Sequence, residues 1–242
     1  MDVRDTARAN FDLFAENPYP GRGIILGKSP DCRSLIQVYW IMGRSEGSRN
    51  RVFVEEDGFL KTKLWDESKA TDPTLLIYYP MRNLGGFHIV SNGDQTDTIY
   101  QALQSAGTFE SALDTRTFEP DPPIYTPRIS GMMTVGTTDR YKLSILKPMS
   151  GDAESCVRVY YNYQTNANGV GNCIQTYTLN AEGQPGAFQG DPYLLPLFDD
   201  IDETCRVYWD ALNADNKVSL AVKYIDIATG EFEIRIANKH GE

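Results

Sequence analysis

Four short stretches of the chain gather residues able to hold and polarise a small anionic molecule. Residues 17–27 read NPYPGRGIILG, with Arg22 at the start of an apolar run. Residues 43–51 read GRSEGSRNR and carry Arg44, Arg49, Asn50 and Arg51. Residues 90–99 read VSNGDQTDTI and carry Asn92, Gly93, Thr96 and Asp97. Residues 125–129 read YTPRI, with Arg128 after a rigid proline. A guanidinium is a forked, permanently charged donor that matches phosphate geometry. Asn, Asp and Thr at a strand-to-helix junction meet a ligand where backbone N–H groups point outward. Together the stretches point to a small phosphorylated ligand. Singly, each also reads as local structure. Ser-Asn-Gly-Asp is a turn, Thr-Asp before an apolar run is a helix cap, and arginines on turns form a solvated face.

Composition narrows the chemistry further. The chain has 242 residues, a formal net charge of −10 and a pI near 4.8. Such a balance argues against broad nucleic-acid or anionic-membrane binding, though not against a local basic pocket. The four cysteines (Cys32, Cys156, Cys173, Cys205) show no metal spacing, and the two histidines are His88 and His240. A zinc site and a His-activated nucleophile are therefore not expected. His88, on an apolar strand, reads as structural. The chain lacks the Gly-rich phosphate and dinucleotide motifs, HExxH and GxSxG. The start, MDVRDTARANFDLF, has no apolar signal core. With no long apolar run and with free thiols, a cytoplasmic protein is expected.

The elements that must position these residues follow from periodicity. VRDTARANFDLFA (3–15) predicts a helix with Ala7, Phe11 and Phe14 on one face, ending before Pro18. Strands are predicted at GIILG (23–27), SLIQVYWIM (34–42), RVFVE (51–55), TLLIYYPM (74–81) and FHIVS (87–91). Helices are predicted at 97–107, with Asp94 or Thr96 as cap, and at 109–118. A proline-rich loop, EPDPPIYTPR (119–128), follows. Further strands are predicted at GMMTVGT, KLSILKP, CVRVYYNYQ, NCIQTYTLN, VSLAVKYID and EFEIRIAN, with a helix near 193–212. Strands, then helices, then strands predict an α+β protein. The reading is one domain over 18–242, with an N-terminal helical extension over 1–17.

The phrases YPGRGIILG, YWIMGRSEGSRNR, VSNGDQTDTI and TPRI, in this order, resemble the archaeal-type IMP cyclohydrolase family. The likeness spans about residues 18–130, and the longer NPYPGRG and GRSEGSRNR forms resemble a bacterial branch of it. The resemblance implies a four-layer αββα sandwich similar to the N-terminal-nucleophile hydrolases. Those enzymes attack with the residue at a freed N-terminus. Here some 18 residues precede Tyr19, and PYPGRG holds no Cys, Ser or Thr, so the autoproteolytic chemistry is not expected.

The reaction implied is the last step of purine synthesis, in which 5-formamidoimidazole-4-carboxamide ribotide cyclises to IMP with loss of water. A hydrolase-class enzyme acting on cyclic amidines needs no metal or organic cofactor for it, and its partner is a purine ribonucleotide. Assembly into a homo-oligomer stays open. Carried over by motif, Arg51 stabilises charge on the reacting oxygen. Tyr78 donates a proton or orients the base, with Tyr79 or Ile77 as alternatives if the alignment slips by one. Glu119 accepts or relays the proton, with Asp121 as the fallback. Arg22, Arg44, Arg49 and Arg128 compete for the phosphate. Asn50, Asn92, Gly93, Thr96 and Asp97 bind base or ribose, or shape the turns. Two other readings stay in view: a nucleotide-binding protein that has lost or changed the chemistry, and a different amide-transforming enzyme.

Overall fold

The computed structural model describes residues 2–69, 75–136, 140–150, 152–164, 167–179 and 185–241. The elements in chain order are α1 (Val3–Glu16), β1 (Gly23–Lys28), β2 (Ser34–Met42), α2 (Glu46–Arg49), β3 (Arg51–Glu56), β4 (Phe59–Leu64), β5 (Met81–Leu84) and β6 (Phe87–Ser91). Then come α3 (Gln95–Gln104), α4 (Phe109–Leu113), β7 (Arg128–Thr134), β8 (Arg140–Met149), β9 (Asp152–Gln164) and β10 (Val170–Gln175). The last are β11 (Tyr177–Leu179), β12 (Pro185–Ala187), β13 (Tyr193–Pro196), α5 (Ile201–Ala211), β14 (Lys217–Asp226) and β15 (Phe232–Asn238).

The protein is mixed α+β with antiparallel sheets. A six-stranded sheet runs β13-β10-β1-β2-β14-β15 and a seven-stranded sheet runs β3-β4-β5-β6-β7-β8-β9. Side chains alternate across a strand, so a run apolar at every position is buried on both faces. In β1 and β2, Ile24, Leu26, Tyr39 and Ile41 pack against Phe53, Leu60, Val90 and Ile129 of the facing sheet. Their neighbours Ile25, Val38 and Trp40 turn outward onto Phe14 of α1 and Ile201 and Tyr208 of α5. The outer face of the seven-stranded sheet packs Ile89, Met132 and Leu146 against Ile99 of α3 and Phe109 and Leu113 of α4. Phe14 lies 5.2 Å from Trp40 and 6.0 Å from Tyr208, ring centre to ring centre. Its truncation to alanine would cost about 3–5 kcal/mol.

Four expected elements differ; one, the strand NCIQTYTLN, divides at Thr176 into β10 and β11, which lie in different sheets because the Thr176 and Tyr177 amides donate to the Arg22 and Pro20 carbonyls. In TLLIYYPM, Thr74 lies outside the described residues, 75–80 follow turns, and Met81 alone enters a strand. Thr62 is the reason. Its amide donates to the Tyr78 carbonyl at 3.0 Å, and its hydroxyl accepts from the Tyr78 amide at 2.8 Å. The segment therefore bonds to one residue of β4 instead of forming a ladder. The helix expected at 109–118 stops at Leu113, where the Thr115 hydroxyl donates to the Ala112 carbonyl at 2.7 Å. Threonine's hydroxyl competes for backbone groups in this way. The helix expected near 193–212 divides into β13 and α5, because Asp200 caps α5 by accepting from the Glu203 amide at 2.7 Å. β4, FLKTKL, was not expected from the sequence; its lysines obscure the apolar alternation. Thr137 and Asn180, the last residues of the predicted strands GMMTVGT and NCIQTYTLN, lie outside the described residues.

Candidate active site

The arginines at the strand starts do not all face one way, and the backbone decides which turn inward. Gly21 adopts φ +77°, and a Cβ there would meet the Thr176 hydroxyl at 2.2 Å and the Tyr177 ring at 2.5 Å. A glycine is required by both counts. This close approach lets the Arg22 amide donate to Thr176 Oγ1 at 3.1 Å, and the Arg22 carbonyl accept from the Thr176 amide at 2.9 Å. The Arg22 side chain is thereby fixed against β10's end, and its Nη2 lies 3.4 Å from Glu119 Oε2.

In GRSEGSRNR, Ser45 and Ser48 form a reciprocal capping box around the single turn α2. That turn swings Arg51 to the head of β3, where it is 1% exposed. Arg51 Nε donates to the Ser48 carbonyl at 2.9 Å, while buried Nη1 has no partner among the described residues. Burial pushes the Arg51 guanidinium below its ordinary pKa, with the Tyr78 phenol raising it and Arg22 lowering it further. For Arg22, burial also opposes the charge. Glu119, and then Tyr177, Tyr78 and Tyr39, outweigh it and leave Arg22 above its ordinary value.

Glu119 is 2% exposed. Its amide donates to the Thr126 carbonyl at 2.9 Å. Asp121 clamps the same loop, accepting from the Thr126 amide at 2.7 Å and hydroxyl at 2.6 Å. Burial raises the Glu119 carboxyl above its usual range, against the pull of Arg22, Arg128 and Arg51. A carboxyl held this way is suited to take and return a proton. Within electrostatic reach of Arg22 and Arg51, Tyr78 Oη lies 2.7 Å from Tyr39 Oη. Tyr79 instead points to Glu56, donating to Oε1 at 3.1 Å.

Arg22 and Arg51 open into a cavity of about 320 Å³. Arg44, Ser45, Ser48, Leu76, Asp121, Thr126 and Tyr177 also line it. That volume falls within the range of small-molecule sites, roughly 300–1,000 Å³. One wall is a stack: Tyr19 lies parallel to Tyr177 at 5.8 Å, and the Arg44 guanidinium sits 4.5 Å over Tyr19. The arrangement can bind a polar, negatively charged molecule, polarise an oxygen and move protons through Glu119 and a phenol.

The structure therefore brings together Arg22, Arg44, Arg51, Tyr78 and Glu119. It gives the others different partners, although Arg128 stays within electrostatic reach of Glu119. Arg49 donates to the Gly43 carbonyl at 2.9 Å and to Asn216 at 3.3 Å, and lines a separate cavity with Trp65 and His240. Asn50 braces Asp66, giving to its carbonyl and accepting from its amide, each at 2.8 Å. Asn92 accepts from the Ile129 amide at 2.9 Å and holds the turn before α3. Gly93 makes room there, since a Cβ would stand 2.6 Å from Arg128 Nη1. Thr96 donates to the Gly93 carbonyl at 3.1 Å, and Asp97 pairs with Arg82 at 2.6 Å. Asp94 stands at the cap position but makes no capping bond. Its carboxylate, with Gln95, takes Arg128 Nη1 at 2.7 Å each.

Tyr19, Tyr39, Thr126 and Tyr177 were not singled out from the sequence. Tyr39 carried one signal: a hydroxyl on the inward face of an apolar strand must find a partner. Tyr177 carried none, because its place depends on the distant Pro20 carbonyl, to which its amide donates at 3.2 Å. Among the described residues, no group of three or more His, Cys, Asp or Glu side chains is placed to hold a metal ion. No described helix is long and apolar enough to cross a membrane.

Compared with known protein families, residues 19–231 match the family described as IMP cyclohydrolase-like protein. A comparison with curated proteins gave no match.

Proposed function

The chain belongs to the IMP cyclohydrolase-like family, and from that premise we propose that it is an IMP cyclohydrolase. Its substrate is 5-formamidoimidazole-4-carboxamide ribotide. The observation that carries this reading is the buried group of Arg51, Tyr78 and Glu119 beneath a cavity lined by Arg22 and Arg44.

The carboxamide nitrogen attacks the formyl carbon of the same molecule, so holding two groups already on one ring in contact lowers much of the barrier. An amide nitrogen is a poor nucleophile until it loses a proton. Glu119, raised by burial, accepts it. The N–C bond forms as the formyl C=O opens, and the free N–H of Arg51 meets the charge that develops on oxygen. Tyr78 supplies a proton to that oxygen. Two protons leave the nitrogens, two arrive on oxygen, and water departs; Glu119 and Tyr78 return to their starting states. Arg22 and Arg44 offer the charge for the 5′-phosphate.

The two sheets with helices packed outside each support a four-layer αββα sandwich similar to the N-terminal-nucleophile hydrolases. On this reading residues 18–242 form one domain, α1 is an extension packed onto it, and the protein works in the cytoplasm. The test is direct. Purified protein given the formamido ribotide should form IMP without added metal. Nucleotide binding with no turnover, unchanged by Glu119→Gln, would replace the proposal with a binding protein.

A further inference from the structure

Tyr39 is a buried phenol that the reaction above does not use. It stands on the inward face of β2, is 0% exposed, and packs its ring parallel to Phe53 at 5.6 Å. Among the described residues its hydroxyl has one hydrogen-bond partner, the Tyr78 hydroxyl at 2.7 Å. Each phenol has one proton, and only one can lie between the two oxygens. The surroundings decide which. If Tyr78 donated to Tyr39, the Tyr39 proton would have no acceptor among the described residues and be left unpaired, which is costly. If Tyr39 donates, its proton is satisfied. Tyr78, 5% exposed and on the segment that follows cavity-lining Leu76, keeps its own proton for a molecule in the cavity. Arg22 and Arg51 lie within electrostatic reach of both phenols.

We propose that Tyr39 is a positioning residue for the cyclisation: its hydroxyl donates to Tyr78 and so directs the Tyr78 proton toward the substrate's formyl oxygen. The inference rests on the cyclohydrolase reading. When Tyr78 gives up its proton, the phenolate oxygen already accepts the Tyr39 O–H and faces two guanidiniums, so no reorganisation is needed as charge appears. The Tyr39 proton itself never transfers.

A double-mutant cycle on purified enzyme tests this, with Tyr39→Phe, Tyr78→Phe and the pair assayed for IMP formation. Tyr39→Phe keeps the ring on Phe53 and removes one hydroxyl. It should lower kcat about 10- to 100-fold and change KM less than about threefold, with Tm lowered by no more than about 5 °C. The double variant should be no slower than Tyr78→Phe alone, because Tyr39 acts only through Tyr78. Losses that multiply in the double variant, or a normal kcat in Tyr39→Phe, would overturn the inference and leave the cyclohydrolase reading standing. Wild-type protein without turnover would sink that reading itself, and the positioning role with it. Should Tyr39→Phe unfold, Tyr39→Leu in a Tyr78→Phe background must still show no further loss in kcat per folded molecule; a further loss overturns the proposal.

Discussion

Two groups of buried polar side chains lie between the same two sheets, and they have opposite characters. One is the group of Arg22, Arg51, Glu119, Tyr39 and Tyr78. The other lies further along the strands. Gln37, two residues before Tyr39, pairs across to Lys223 of β14, and Asn83 pairs with His88. Lys223 Nζ sits 3.7 Å over the Phe232 ring and 3.4 Å from Asn83 Oδ1. Lys223 and His88 are each 1% exposed. Burial lowers the Lys223 pKa to about 7, with Glu55 pulling it back up. Burial, followed by Lys223, lowers His88 to about 3. Both groups are strongly perturbed, yet only the first joins opposite charges and opens through its arginines into a cavity. Perturbation by burial is common to a functional site and a structural compromise. The difference lies in whether the charged form finds a partner and a ligand finds a way in.

The contrast can be broken at either end. Glu119→Gln should reduce kcat about 10²- to 10⁴-fold, whereas Lys223→Met should leave kcat within about twofold; steady-state assays on both check this. Arg51→Lys keeps the charge but loses the fork, and should cost about 10²- to 10³-fold in kcat. Near-normal turnover in that variant would remove Arg51 from the reaction.

Stability should separate the groups as well. The Lys223 pKa is about 7 folded against an ordinary 10.5, so between those values the unfolded chain binds more protons. Stability then rises with pH through that window, and the penalty is complete below pH 7. Lys223→Met should therefore raise Tm, by roughly 5 °C or more, most at and below pH 7 and least above pH 10. A gain independent of pH would show that Lys223 is not the cause. The His88 pKa is about 3 against 6.5, and the same sign holds: stability is lost as pH falls from 6.5 toward 3. His88→Leu should flatten that acid limb in calorimetry. The smallest effect belongs to Asp97→Asn, which loosens the Arg82 pair on the surface of α3 and should alter kcat and KM less than about twofold and leave Tm within about 2 °C.

Much of the fold was readable because β-strand alternation is local. β2 and β6 begin and end where the residue pattern does, since each is apolar on both faces and bounded by turns. TLLIYYPM has the same composition but no ladder, because a single threonine from β4 takes its backbone bonds. In the site, arginine and carboxylate types were visible, but their employment was not. Arg128 looked as well placed as Arg22 until Asp94 and Gln95 claimed it.

The sequence by itself determined the residue types, the apolar strands buried on both sides and the ordered phrases that mark the family. Those features depend on neighbours along the chain. Tertiary structure alone decided that Arg51 turns inward while Arg49 serves the turn. It also decided that Tyr78 rather than Tyr79 meets Tyr39, and that Tyr177 from the second half completes the wall. The reason is physical. Whether a charge is buried, what accepts its hydrogen bonds and which way its pKa moves are set by groups from distant segments, and only folding brings those within a few ångströms.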